Sequence, residues 1–200
     1  MEEEACRAVG NLADNDDNKV LIAKEGGIPK ILAALDKHAQ HAGVVEQACE
    51  AVRNLAANAG NQVLIAELGG IPRLLAALDN HAEHVGVVEQ ACEAVRNLAA
   101  NADNQVLIAE LGGIPKILAA LATHADKVKV VERACAALSY LAKDNKENQI
   151  AIQQARGSAL VSAAVAADSA SATTKHFGKM VLHELKLPSE KKGAGCCAVC

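Results

Sequence analysis

The sequence predicts an all-α, right-handed superhelical solenoid. Three observations predict it. Residues 46–88 return as residues 89–131 with eight of the 43 positions changed, and a fixed period of this size marks a stacked repeat architecture. Each copy carries helical stretches divided by the same punctuation. The apolar half of the chain (51%) is Ala, Leu, Val and Ile, with Tyr140 and Phe177 as its only aromatics and no Trp. Small, strongly helix-forming residues suit many thin layers better than one thick core.

Taken in order, residues 1–14 read as the third helix of a partial repeat, because Cys6 stands 43 positions before Cys49. This helix has an apolar face and nothing upstream to cover it. Either Glu2, Glu3 and Glu4 make it a tolerable cap, or the chain is a piece of a longer protein. Repeats follow at 15–57, 58–100 and 101–143. Within each, Asn61 to Leu68 reads as a short helix with Asn61 as its N-cap. Gly69-Gly70 stops it, since glycine adopts the left-handed conformation. Ile71-Pro72 opens a second helix through Leu78. A polar, His-containing linker from Asp79 to Gly86 leads to a long third helix from Val87-Val88 to Ala100. Its Val88, Ala91, Cys92, Val95 and Leu98 form one apolar stripe.

Residues 144–187 read as an atypical C-terminal capping repeat. One residue is inserted before Asn148, the Gly-Gly-Ile-Pro block becomes Arg156-Gly157-Ser158-Ala159, and the third helix becomes 175–187. Residues 188–200 read as a flexible Lys/Gly/Cys tail.

Composition narrows the function. A net charge of −4 with interspersed signs lacks the basic stripe of a nucleic-acid surface. No secretory signal and no run of 18 apolar residues appears, so cytoplasmic residence is expected. Cys6, Cys49, Cys92 and Cys135 recur once per repeat on an apolar face, as buried reduced thiols would. His38/His41 and His81/His84 stand one turn apart, but His124 is followed by Lys127, so no metal site is expected. These His read as lying at a helix C-terminus, where a partly cationic ring suits the dipole. No nucleophile–base set recurs and no phosphate-cradling loop follows a strand. A non-enzyme without cofactor is expected.

A 43-residue three-helix unit with Asn-Gln-Val-Leu-Ile-Ala-Glu-Leu-Gly-Gly-Ile-Pro in front and Ala-Cys-Glu-Ala-Val-Arg-Asn-Leu-Ala behind resembles the armadillo repeat over about residues 2–187. HEAT repeats lack the Gly-Gly-Ile-Pro break. The resemblance implies a concave groove of third helices that holds an extended partner peptide through an Asn late in each helix. The matching positions are Asn11, Asn54 and Asn97, with Tyr140 in the fourth row. An Asn amide both donates and accepts, as a strand neighbour would. Where importin-like members carry Trp, this chain has Arg7, Glu50, Glu93 and Ala136. With Glu46, Glu89 and Glu132 on the same face, an acidic groove flanked by Arg53 and Arg96 is expected. That favours a protein or peptide partner with basic residues. The bland alternative makes Glu50–Arg53 a helix-surface pair and the Asn row interlayer bonds. At the C-terminus, Cys197-Ala198-Val199-Cys200 fits the C-a-a-X form for prenylation, with Cys196 available for palmitoylation. The function expected is a peptide-binding scaffold. The alternatives are a membrane-tethered adaptor and a structural or engineered array without a cognate ligand.

Overall fold

The computed structural model describes residues 1–186, so the proposed lipidation residues Cys196 and Cys197 lie outside the described part. Thirteen helices and no strand occur among the described residues. They are α1 (Glu2–Leu12), α2 (Asp16–Lys24), α3 (Gly27–Lys37), α4 (Ala42–Leu55), α5 (Ala59–Glu67), α6 (Gly70–Asn80) and α7 (Val85–Leu98). Then come α8 (Ala102–Glu110), α9 (Gly113–Thr123), α10 (Val128–Ala142), α11 (Lys146–Gln154), α12 (Gly157–Ala166) and α13 (Ala172–Glu184). The unit is a short, a medium and a long helix.

The long helices α1, α4, α7, α10 and α13 stack on one another in chain order, and this stack is the most extensive packing in the molecule. One continuous core runs through the layers. Leu55, Leu98 and Leu141 hold equivalent places in it, as do Cys49, Cys92 and Cys135, and all six are fully buried. Close stacking follows from the small side chains: Ala48, Ala51, Ala91, Ala94, Ala134 and Ala137 are also fully buried. Each buried Leu removes its side chain from water for about 2 kcal/mol.

Each Gly-Gly pair has two separate reasons. Gly26, Gly69 and Gly112 take φ of 72°, 71° and 75°, the left-handed region. The second glycine begins the next helix. A Cβ on Gly70 would stand 2.4 Å from Ile65 Cγ2 and 2.8 Å from the Ile65 carbonyl oxygen. The pair therefore turns the chain and lets the first two helices touch.

The structure corrects the N-cap. Asn58, not Asn61, caps α5, its side chain accepting from the Asn61 N–H at 3.1 Å. Asn61 is buried three residues on. Its amide donates to the Leu55 and Lys19 carbonyls, both at 3.1 Å, and neighbouring Gln62 donates to the Ala56 carbonyl at 3.0 Å. Asn104-Gln105 and Asn148-Gln149 repeat the arrangement. The Asn-Gln pair thus satisfies the last carbonyls of the preceding long helix and ties one layer to the next.

The His pairs divide their work. His38 and His81 end α3 and α6, and His81 Nε2 bonds the Ala39 carbonyl of the previous layer at 2.9 Å. His41 and His84 instead cap α4 and α7, with Nδ1 accepting from Val44 and Val87 N–H at 3.3 Å. The reading that both lie at a helix C-terminus is corrected for this second His. The fourth repeat accommodates its extra residue at Asp144, which takes φ 53°, and Arg156 fills the left-handed position with φ 59°.

Candidate functional site

The candidate site is the exposed face of α4, α7 and α10. The 3.6-residue period puts Glu46, Glu50 and Asn54 on one stripe of α4, and Glu89, Glu93 and Asn97 on the same stripe of α7. Asn54, Asn97, Arg53 and Glu93 line one cleft of about 260 Å³, together with Asp14, Lys19 and Arg133. Arg96 and Tyr140 sit beside it. Asn11 is exposed on α1 and does not line the cleft.

The Asn row is tied into the layers. Asn54 Nδ2 donates to the Gly10 carbonyl at 2.9 Å and to Asp14 Oδ1 at 3.0 Å. Asn97 Nδ2 donates to the Arg53 carbonyl at 2.8 Å. Each Asn Oδ1 accepts from the Arg before it, from Arg53 Nε at 3.0 Å and from Arg96 Nη1 at 2.9 Å. An amide has two N–H donors and two lone pairs. Asn97 therefore keeps one of each without a partner among the described residues. Asn54 has committed both donors, one of them to the exposed side chain of Asp14.

The acidic groove expected from sequence is charge-balanced. Glu50 pairs with Arg53 at 3.2 Å. Glu93 lies 3.7 Å from Arg96 and 3.0 Å from Arg133. The Arg side chains also lean across layers. Arg53 Nη1 donates to Gln90 Oε1 at 2.8 Å, and Arg96 Nη2 donates to the Tyr140 hydroxyl at 3.1 Å. The Arg96 guanidinium lies 4.6 Å from the Tyr140 ring centroid, a cation–π distance. Glu46 faces only His84, at 3.8 Å, and Glu89 has no ion pair among the described residues. Glu132 is buried. Burial opposes its ionisation, but hydrogen bonds from Ser171 and Lys129, with the Lys129 and Arg133 charges, hold its carboxyl below the ordinary range.

Sequence reasoning missed Lys19, Asp14, Arg133 and Gln90. Two carried a signal as breaks in the repeat. Lys19 occupies the place of Gln62 and Gln105, where it is buried and bonded to Asp16 at 2.5 Å. Arg133 occupies the place of Gln47 and Gln90. The four repeat thiols are free and buried. Burial pushes Cys92 and Cys135 up to about 12, and Cys49 further.

These features define an all-α repeat solenoid whose long helices present one polar, charge-laddered face. The family model of the Armadillo/beta-catenin-like repeat matches residues 15–57, 58–100 and 101–143. The chain belongs to that family. No curated protein sequence matches it. Among solved structures, it is similar to an engineered protein of the Northeast Structural Genomics Consortium. That match has 22% identity and a TM-score of 0.84 over 92% of this chain and 74% of the other. Computationally designed armadillo repeat proteins for modular peptide recognition match at 21% identity, TM-score 0.77, over 91% and 74%. The armadillo-repeats-only protein of Plasmodium falciparum matches at 17%, TM-score 0.75, over 92% and 79%. At these identities the likeness shows the fold.

Proposed function

We propose that this chain is a non-catalytic scaffold that binds an extended peptide segment along α4, α7 and α10. The observation that carries the reading is the cleft in which Asn54 and Asn97 stand one layer apart among Arg53, Glu93 and Arg133. Asn97 offers a peptide unit its remaining N–H and lone pair. Asn54 joins when Asp14 turns to water. The designed proteins for modular peptide recognition share the fold and support this use of it.

Side-chain selection falls to the carboxylates that lack a strong internal partner. Glu46 and Glu89 attract Lys or Arg of the partner, while Glu50 and Glu93 are already paired with Arg. Such selection is salt-sensitive. The cytoplasm is the compartment this reading implies. Among the described residues, no single helix is long and apolar enough to cross a membrane.

The test is binding to an array of extended peptides at low and high salt, comparing the native protein with a Glu46→Lys/Glu89→Lys variant. Basic peptides held by the native protein and lost by the variant support the reading; equal binding by both sinks it. Asn54→Ala/Asn97→Ala is a less clean probe. It also removes interlayer hydrogen bonds, each worth about 1 kcal/mol of stability.

A further inference from the structure

We propose that the exposed edge built from the short helices α2, α5, α8 and α11 is a docking surface for an amphipathic α-helix of a partner protein. That helix is apolar at positions i, i+7, i+14 and i+21, and basic at i+3 and i+4 of each step. The edge runs through the inner layers of the stack as well as the outer ones. It is separate from the face of α4, α7 and α10 and does not depend on its reading.

Exposed apolar side chains gather on this edge. Of the eleven large ones exposed among the described residues, seven belong to these four helices or to the residues that end them. One place recurs in every layer: Val20, Val63, Val106 and Ile150 are 54%, 44%, 48% and 43% exposed. Leu68 and Leu111 widen the row in the two inner layers. None of these six lines the cleft that holds Asn54 and Asn97. Local stability does not account for the row, because β-branched Val is a poorer helix former than Ala. Duplication does not account for it either. In repeat four Ala109-Glu110-Leu111 has become Gln153-Gln154-Ala155, while Val106 has become the larger Ile150.

Unpaired acids flank the row. On the medium helices Asp36 and Asp79 pair with Arg73 and Lys116, and on the long helices Glu50 and Glu93 pair with Arg. On the short helices Asp103 stands one turn before Val106, while Glu67 and Glu110 stand one turn after Val63 and Val106. All three are exposed and make no ion pair among the described residues. Neither α5 nor α8 contains Lys or Arg. Lys24 and Lys146 stand in the outer layers. The middle of the edge is therefore an apolar row with acid on both sides, and it fits a partner that is apolar and basic. A second copy of the edge would bring acid against acid, and an anionic membrane surface would be repelled.

The layer spacing selects a helix. Packed helices stand about 8–10 Å apart. Helical residues i and i+7 are about 10.5 Å apart on one face, so they stay in step with the row from layer to layer. An extended strand returns a side chain to the same face about every 6.8 Å and falls out of step. Positions i+3 and i+4 lie on either side of the apolar stripe and reach the two acidic margins.

The experiment titrates the full chain into a fluorescein-labelled helical peptide and follows anisotropy at low salt. The peptide, about 25 residues long, carries Leu at i, i+7, i+14 and i+21, Lys at i+3 and i+4 of each step, and Ala and Gln elsewhere. Saturable one-to-one binding is expected, and none for a scrambled peptide of the same composition. Val63→Asp/Val106→Asp in the protein abolishes binding and leaves the melting temperature unchanged. Glu67→Lys/Glu110→Lys weakens it about tenfold, the range of two exposed ion pairs, and Glu in place of the peptide's Lys restores it. The Glu46→Lys/Glu89→Lys variant binds the helix unchanged, which separates this edge from the peptide face. Absence of saturable binding overturns the proposal. So does equal binding of the scrambled peptide, or loss of binding in Glu46→Lys/Glu89→Lys with none in Val63→Asp/Val106→Asp. A chain that self-associates until Val63→Asp/Val106→Asp disperses it also overturns the proposal, because the occupant is then a second copy. A lowered melting temperature in that variant does the same, because the row is then packed within the molecule.

Discussion

The first and last described layers differ in what they expose. At the N-terminal end, Leu12 and Leu21 are 56% and 53% exposed, while Leu55, the counterpart of Leu12 one repeat later, is fully buried. In α13, the last described helix, Lys175, His176, Lys179 and His183 are exposed and Thr174, Gly178 and Val181 are buried. Among the described residues, the first helices expose apolar side chains and the last exposes mostly polar ones. The lesson is that position in the stack, not residue type, decides what a side chain contributes. The same Leu stabilises strongly where two layers enclose it and weakly where one does.

The largest expected effect tests that contrast directly. Leu98→Ala should cost about 3 kcal/mol, as core truncations do, and Leu12→Ala less than about 0.5 kcal/mol. Denaturant unfolding of the two variants measures both. Equal costs would mean that the N-terminal helix is as enclosed as the interior. A smaller contrast concerns glycine. Gly70→Ala pushes a methyl into Ile65 under the lid of Leu32 and should cost about 2 kcal/mol. Gly27→Ala meets Ile22 Cγ2 and the Ile22 carbonyl oxygen almost as closely, at 2.5 and 2.9 Å, but has no Leu above it, and should cost somewhat less.

The thiols sharpen the comparison through pH. Burial holds Cys92 and Cys135 protonated up to about 12, above the ordinary value of 9.0. The unfolded chain ionises first, so above pH 9 it binds fewer protons than the native state. Stability then falls as pH rises, by up to about 1.4 kcal/mol per pH unit for each thiol. Cys92→Ala should flatten that alkaline decline, and Cys6→Ala in the first helix should flatten it less. Urea titrations between pH 8 and 10.5 compare the slopes. The smallest effect lies in the last described layer. Arg156→Gly relieves a left-handed backbone that only glycine adopts freely and should raise stability by roughly 1 kcal/mol in the same assay. A loss would mean that the Arg156 side chain contributes a contact worth more than the strain.

Much of this was legible in the residues. The 43-residue period, the three helices of each unit, the glycine turn and the buried thiols all follow from identity at a fixed offset. Such identity constrains every layer to one local solution. The stripe carrying Glu46, Glu50 and Asn54 was legible too, because a 3.6-residue period fixes which side chains share a face. The partners of those side chains were not. Arg53 could be placed on the flank of the groove, but its bonds to Gln90 and Asn54 depend on how one layer rotates over the next. The N-cap was misplaced by three residues because Asn58 and Asn61 are both suitable caps. Only the turn after α4 decides between them and sends Asn61 inward to the carbonyls of Leu55 and Lys19.

By itself, then, the sequence determined the unit, its count and the residue types on each face, since these depend on short-range periodicity and backbone preference. The tertiary structure alone decided which charges are already paired and which amides still have capacity. Those quantities depend on distances between residues about 43 positions apart, and such distances are set only when the layers pack.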